Sequence, residues 1–108
     1  MVEIINQTKQ SLNLDDIKTY CEVLNKKNNI NFEIIFVNSN FIRSLNKLYR
    51  KIDHPTDILT FENSDIGQIF ICPNIAQVNA KKFKNSLKKE IELLILHGYN
   101  HLIGKYHG

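Results

Sequence analysis

Three of the four histidines in this 108-residue chain fall in its last twelve positions, in the run H-G-Y-N-H-L-I-G-K-Y-H, at 97, 101 and 107. His97 and His101 are four apart. In a helix from Leu87 to Ile103 their imidazoles stand one turn above the other on a single face, the geometry of two ligands on one ion. Gly104 follows three residues later, where a left-handed residue ends a helix and folds the chain back, returning His107 toward the same ion. Three neutral histidines supply nitrogen donors at roughly 2.0–2.1 Å and leave a fourth position open, the pattern of a catalytic rather than a structural zinc site. Zinc lowers the pKa of water bound there to about 7. Two plainer readings share these residues: a His-rich tail that binds metal adventitiously, and His97 and His101 as packing residues of a half-buried helix. An HxxxH pair alone carries little weight, and the third histidine beyond a glycine is what adds to it.

The elements that must position these rings can be followed along the chain. Val2 to Ile5 has the composition of an opening strand. Leu14 to Lys27 repeats apolar residues at Leu14, Ile17, Cys21 and Leu24 behind Asn13 as N-cap, a core-facing helix. Asn31 to Val37 is a strand, and Ser39 or Asn40 caps a helix in which Phe41, Leu45 and Leu48 recur and which closes at Arg50-Lys51. Ile52 to Asp57 is a loop, because Pro55 disfavours helix at His54. Ile58 to Phe61 and Gly67 to Cys72 are strands, and the turn between them leaves hairpin and crossover both open. Pro73 stops the second strand, and Asn74 caps a helix to about Lys84 with Ile75, Val78 and Phe83 as its apolar positions. The last helix starts near Leu87 and carries Ile91, Leu93, Leu94, Ile95 and Leu96. Four strands and four helices in mixed order predict an α/β (α+β) fold, a small mixed sheet covered by helices.

The length predicts one domain spanning residues 1–108. Hydrophobic residues at 43 % and charged residues at 23 % are ordinary for a soluble globular protein, so a disordered or fibrous class is excluded. No stretch approaches the roughly 18 apolar residues needed to span a bilayer, and the N-terminus lacks the basic-then-apolar order of a signal peptide. A cytoplasmic location without membrane association is expected. Cys21 and Cys72 form no CxxC pair and read as two buried reduced thiols. The net charge of +3 is low for a dedicated nucleic-acid binder. Lys81, Lys82, Lys84, Lys88 and Lys89 nevertheless cluster just before the histidine helix, either as phosphate-attracting potential or as a solvated helix face.

Three stretches, L-N-K-L-Y-R-K-I-D-H-P-T-D-I-L-T-F, I-G-Q-I-F-I-C and H-G-Y-N-H-L-I-G-K-Y-H, resemble the signature segments of the YbeY family, in the same order and at similar spacing from about Phe32 onward. The resemblance implies a bacterial metal-dependent, single-strand-specific endoribonuclease acting in rRNA processing and ribosome quality control. It implies a zincin-like site with one Zn2+, or another divalent transition metal, on His97, His101 and His107. It implies a required arginine at Arg50, whose permanently charged fork suits phosphate oxygens. RNA, and with it the ribosome or ribosomal proteins, are the implied partners. Thr60 at the strand end is a candidate to line the site near Arg50, and Lys81, Lys84 and Lys88 are candidates to hold the RNA backbone. The chain departs from the family's pattern at Gln68, usually aspartate, at Asn100, usually leucine, and at Lys105 and Tyr106, usually tyrosine and aspartate. Family members also usually continue well past the third histidine, where this chain stops at Gly108.

The first functional reading is therefore phosphodiester cleavage, the metal polarising phosphate or supplying hydroxide and Arg50 stabilising charge that grows on the phosphate. The second is a zinc metalloprotease-like hydrolase. That chemistry places a glutamate directly after the first histidine; here the position is Gly98, and Glu90 or Glu92 would have to replace it. The third is a ribosome-associated factor whose metal only staples the C-terminus. Thr56 and Asp57 read equally as turn formers and as substrate contacts, and His54 as an exposed loop residue.

Overall fold

A near-continuous apolar run along Phe32-Glu33-Ile34-Ile35-Phe36 buries this strand on both faces and makes it the axis of the sheet. The computed structural model describes residues 1–62 and 65–107, the last three of these by their backbone alone. In chain order the elements are β1 (Val2–Asn6), α1 (Leu14–Leu24), β2 (Phe32–Phe36), α2 (Ser39–Arg50), β3 (Ile58–Glu62), β4 (Gly67–Ile71), α3 (Pro73–Lys82) and α4 (Leu87–His107). The sheet order is β1-β2-β4-β3. β1, β2 and β4 are parallel, and β3 lies antiparallel to β4 at one edge, with Ile58 opposite Ile71 and Glu62 opposite Gly67. The mixed α/β fold is as the pattern predicts, and the open choice between hairpin and crossover resolves as a hairpin.

Each face of the sheet has its own core. On one, Phe32, Ile34, Phe36, Ile69 and Ile71 pack with Cys21 of α1, Ala76 of α3 and Ile91, Ile95, Tyr99 and Leu102 of α4. On the other, Ile35, Val37 and Leu59 meet Ile42 of α2. α4 therefore covers one side of the sheet while α2 crosses the other. Residues carried at the C-terminal end of α2 must come round the β3 edge to meet α4.

Glycines set how closely α4 lies on the sheet. A Cβ built on Gly98 would stand 3.0 Å from Ile69 Cδ1, and one on Gly67 only 2.6 Å from Leu102 Cδ1. Both places are tighter than ordinary side-chain contact, so small residues there allow the helix to seat. Tyr99 ties the same helix to α1. Its hydroxyl donates to Asn25 Oδ1 at 2.8 Å, and Asn25 bonds both backbone groups of Ile30, at 2.8 and 3.0 Å.

Several local expectations need correction. Asn38, not Ser39 or Asn40, caps α2 by accepting from the Phe41 N–H. Pro73 is itself the first residue of α3, behind Cys72 as N-cap, where its missing N–H costs nothing; Asn74 lies inside the helix. The inward face of α3 is Ala76 and Ala80, whereas Val78 and Phe83 are exposed. In α2 the buried positions are Ile42 and Asn46, and Phe41 and Leu48 face outward. In α4, Leu93 lies off the buried stripe. The largest correction is at the end of the chain. α4 runs helical through His107, and Gly104 has no positive φ and nothing within 4 Å of a Cβ added to it. The chain reversal expected at Gly104 is absent from this backbone.

Candidate active site

α2 ends where Lys51 takes the left-handed conformation, φ 63°, and returns its N–H to the carbonyls of Asn46 and Lys47. That stop leaves Arg50 as the last helical residue and turns the chain into the 51–57 loop. Asn46, one turn before Arg50 on the same side, pins the loop by donating from Nδ2 to the His54 carbonyl at 2.9 Å. The far end of the loop is fixed by the Cys72 N–H, which donates to the Asp57 carbonyl at 2.9 Å. Among the described residues, buried Asn46 Oδ1 has no hydrogen-bond partner.

These constraints, with α4 seated on the sheet, open a cleft of about 410 Å³ at the β3 edge, lined by Arg50, Thr56, Asp57, Ile58, Leu59, Thr60, His97 and His101. Arg50, His97 and His101 are exposed and Thr60 is half-buried, so the cleft is open to a large substrate. Asp57 is held from α3, Asn79 Nδ2 donating to its Oδ2 at 3.2 Å, while Thr56 Oγ1 approaches its Oδ1 at 3.4 Å. A guanidinium, a carboxylate, two hydroxyls and two imidazoles thus share one opening. Together they can bind an anion, hold a cation and move a proton.

Of the residues singled out by sequence, Arg50, Thr56, Asp57, Thr60, His97 and His101 are brought together. The His107 side chain lies outside the described residues. Among the described residues no group of three or more His, Cys, Asp or Glu side chains converges to hold a metal. His97 and His101 nonetheless suit one, being exposed imidazoles on successive turns of one helix face that open into the same cleft. Lys81, Lys84 and Lys88 are exposed but do not line the cleft, and Lys88 pairs with Asp16 at 3.5 Å beside a separate cavity. His54 is exposed and its Nδ1 lies 3.3 Å from the Pro55 carbonyl. Gly98 points at Ile69 in the sheet, so a glutamate at that position would enter the core rather than the cleft. The substitutes fare no better: Glu90 is buried, and Glu92 lines the cavity beside Lys88.

Asn46 and Asn79 escape sequence reasoning. For Asn46 a signal exists, since L-N-x-x-x-R places asparagine and arginine four apart on one helix face. Asn79 carries none, because only the fold brings α3 against the loop.

A family model described as Endoribonuclease YbeY matches residues 2–108. Curated relatives bearing that name include one from Thermotoga petrophila, 38 % identical over 99 % of this chain and 75 % of the relative. Another, from Acholeplasma laidlawii, is 35 % identical over 98 % of this chain and 81 % of the relative. A solution structure of a protein from Thermotoga maritima superposes with a TM-score of 0.73 at 36 % identity, covering 94 % of this chain and 71 % of that one. With the first and third of the signature stretches meeting at one cleft and the match running nearly from end to end, this chain belongs to the endoribonuclease YbeY family.

Proposed function

We propose that this protein is a metal-dependent endoribonuclease that cuts single-stranded segments of rRNA during ribosome maturation. One observation carries the reading: Arg50, reached from one face of the sheet, and His97 and His101, from the other, line the same cleft. His97 and His101, with His107 as third donor, would hold one zinc or another divalent transition ion. When bound, such an ion polarises phosphate and makes hydroxide available near neutral pH. The chain's own residues do the rest. The guanidinium of Arg50 meets phosphate oxygens and stabilises the negative charge that grows on them as the phosphodiester is attacked. Thr60 offers a hydroxyl at the cleft wall, and the lysines at 81, 84 and 88, set back from the cleft, draw the polyanion toward it.

The metalloprotease reading is disfavoured by Gly98, whose position faces the sheet and leaves His97 without an adjoining base. Incubating zinc-loaded protein with single-stranded rRNA fragments and with peptides ranks the two. RNA cleavage that disappears in a His97→Ala, His101→Ala double variant is the expected outcome. Equal cutting by that variant removes the assignment, and peptide hydrolysis outpacing RNA cleavage reverses the ranking. The ribosome follows as partner from the substrate, and co-sedimentation with ribosomal subunits is the corresponding test.

A further inference from the structure

We propose that Asp57 is a catalytic carboxylate of this cleft, the proton acceptor for the hydroxyl that attacks phosphorus; the inference rests on reading the cleft as the place where RNA is cut. A hydrolytic site built on helical histidines gains rate from a carboxylate that takes the proton of the attacking hydroxyl, and α4 does not provide one next to His97. Its Gly98 faces Ile69, and a Cβ added there would stand only 3.0 Å from that side chain. Among the described residues lining the cleft, the one carboxylate is Asp57, delivered from the loop instead of the helix.

The way Asp57 is held fits the role. Asn79 fixes Oδ2 from α3 at 3.2 Å, and the backbone carbonyl is locked to β4's end by the Cys72 N–H. The Thr56 contact to Oδ1 is long, at 3.4 Å, so this oxygen keeps accepting capacity. Both side-chain partners are uncharged donors, which orient the carboxylate without pairing off its charge. A negative group in a cleft that takes a polyanion weakens binding by repulsion, so its place there is explained by chemistry rather than by affinity.

In the step itself, Oδ1 of Asp57 takes the proton of the attacking hydroxyl as the new oxygen–phosphorus bond forms. The bond from phosphorus to the leaving oxygen breaks with its electron pair on that oxygen, which takes a proton from water. The hydroxide left behind recovers the proton from Asp57, restoring the carboxylate. The attacking hydroxyl is either the neighbouring ribose 2′-OH or water, and a substrate with a single 2′-deoxy nucleotide at the cut site separates these two sources.

The test uses the full chain loaded with zinc, a short single-stranded RNA for single-turnover cleavage, and a 2′-O-methyl RNA of the same sequence for binding. Asp57→Asn keeps an acceptor for Asn79 and removes only the charge. We expect its cleavage rate to fall by about 10²–10⁴-fold, with unchanged melting temperature and with 2′-O-methyl RNA bound equally or more tightly. Asp57→Glu, which keeps the base but displaces it, should retain more activity than Asp57→Asn. Cleavage by Asp57→Asn within threefold of wild type overturns the inference, as does a loss of cleavage accompanied by weaker binding and a lower melting temperature, which is the mark of a structural role. Absence of cleavage by the wild-type protein overturns the reading of the cleft itself, and this inference with it.

Discussion

Arg50 shows how much a single residue can depend on where its helix stops. The guanidinium is placed by the left-handed Lys51 immediately after it and by Asn46 one turn before, which holds the loop opposite. Arg50→Ala is expected to lower kcat/KM for single-stranded RNA by about 10²–10³-fold with the melting temperature unchanged, since the side chain is exposed. Arg50→Lys should recover only part, because a point charge does not reproduce the two-pronged contact; full recovery would reduce Arg50 to a source of charge. Cys21 makes a different residue-scale case. Burial first, and the Glu22 charge second, push its thiol up to about 12. A thiol kept protonated in the fold but ionising near pH 8.5 when unfolded contributes stability that is present below about that pH and is lost as pH rises toward 12. Urea midpoints followed from pH 7 to 11 should therefore fall more steeply for wild type than for Cys21→Val. Type and spacing in the sequence pointed to the cleft's two histidines, and the family resemblance pointed to Arg50 and Thr60. The sequence left Asp57 between turn former and substrate contact, because what decides its role is Asn79, twenty-two positions away.

At the scale of elements, α4 is the part that sequence placed best and bounded worst. Its apolar stripe through Ile91, Ile95 and Leu102 is plain in the spacing, and His97 and His101 fall on the flank that the stripe leaves free. The two glycines that follow the first two histidines play opposite parts. Gly98 is a contact glycine. Gly98→Ala forces Ile69 to give way, an overpacking cost of about 1–3 kcal/mol partly offset by the helix preference of alanine, about 1 kcal/mol. A Cβ added at Gly104 would meet nothing within 4 Å among the described residues and the position is helical, so Gly104→Ala should stabilise the metal-free protein by about 0.5–1 kcal/mol in denaturant titration. A helix turns by about 100° per residue, which carries the backbone at His107 some one and two-thirds turns past His101. Recruiting His107 to an ion held by His97 and His101 requires α4 to open after His101, and glycine is where it opens most easily. Gly104→Ala is thus expected to weaken zinc binding in competition with a chromogenic chelator while raising stability. Equal or tighter binding would show that His107 is not a ligand. The capping errors have a simpler origin: Asn38, Ser39 and Asn40 are all competent caps, and only the path of β2 into α2 chooses among them.

Across the whole molecule, what holds the fold and what forms the cleft are separate sets of residues. The cores on the two faces of the sheet contain neither His97 nor His101. Chelation is therefore expected to abolish RNA cleavage with little change in melting temperature, whereas a metal that only staples the chain would take much of the stability with it. The mixed sheet was legible from strand and helix order, but the side of the sheet that each helix covers was not, and that choice sends Arg50 and the histidines to one edge. It also sets the lysines apart. Lys81 and Lys82 end α3, Lys84 sits left-handed in the connection, and Lys88 begins α4 nine residues before His97, roughly 13 Å along the helix. On the proposed reading of the cleft they would act on RNA through their field rather than by contact. A lysine that neutralises a phosphate of single-stranded nucleic acid contributes about 0.7 to the slope of log affinity against log salt. Reversing Lys81, Lys84 and Lys88 to glutamate should therefore slow association at low salt, and the difference from wild type should fade as the Debye length shrinks from about 10 Å at 0.1 M toward 3 Å at 1 M. The slope should fall by clearly less than the roughly two units that three lost phosphate contacts would remove. A loss of that full size would place these side chains on the RNA backbone, and the bound strand would then extend from the β3 edge along α4 to its first turn.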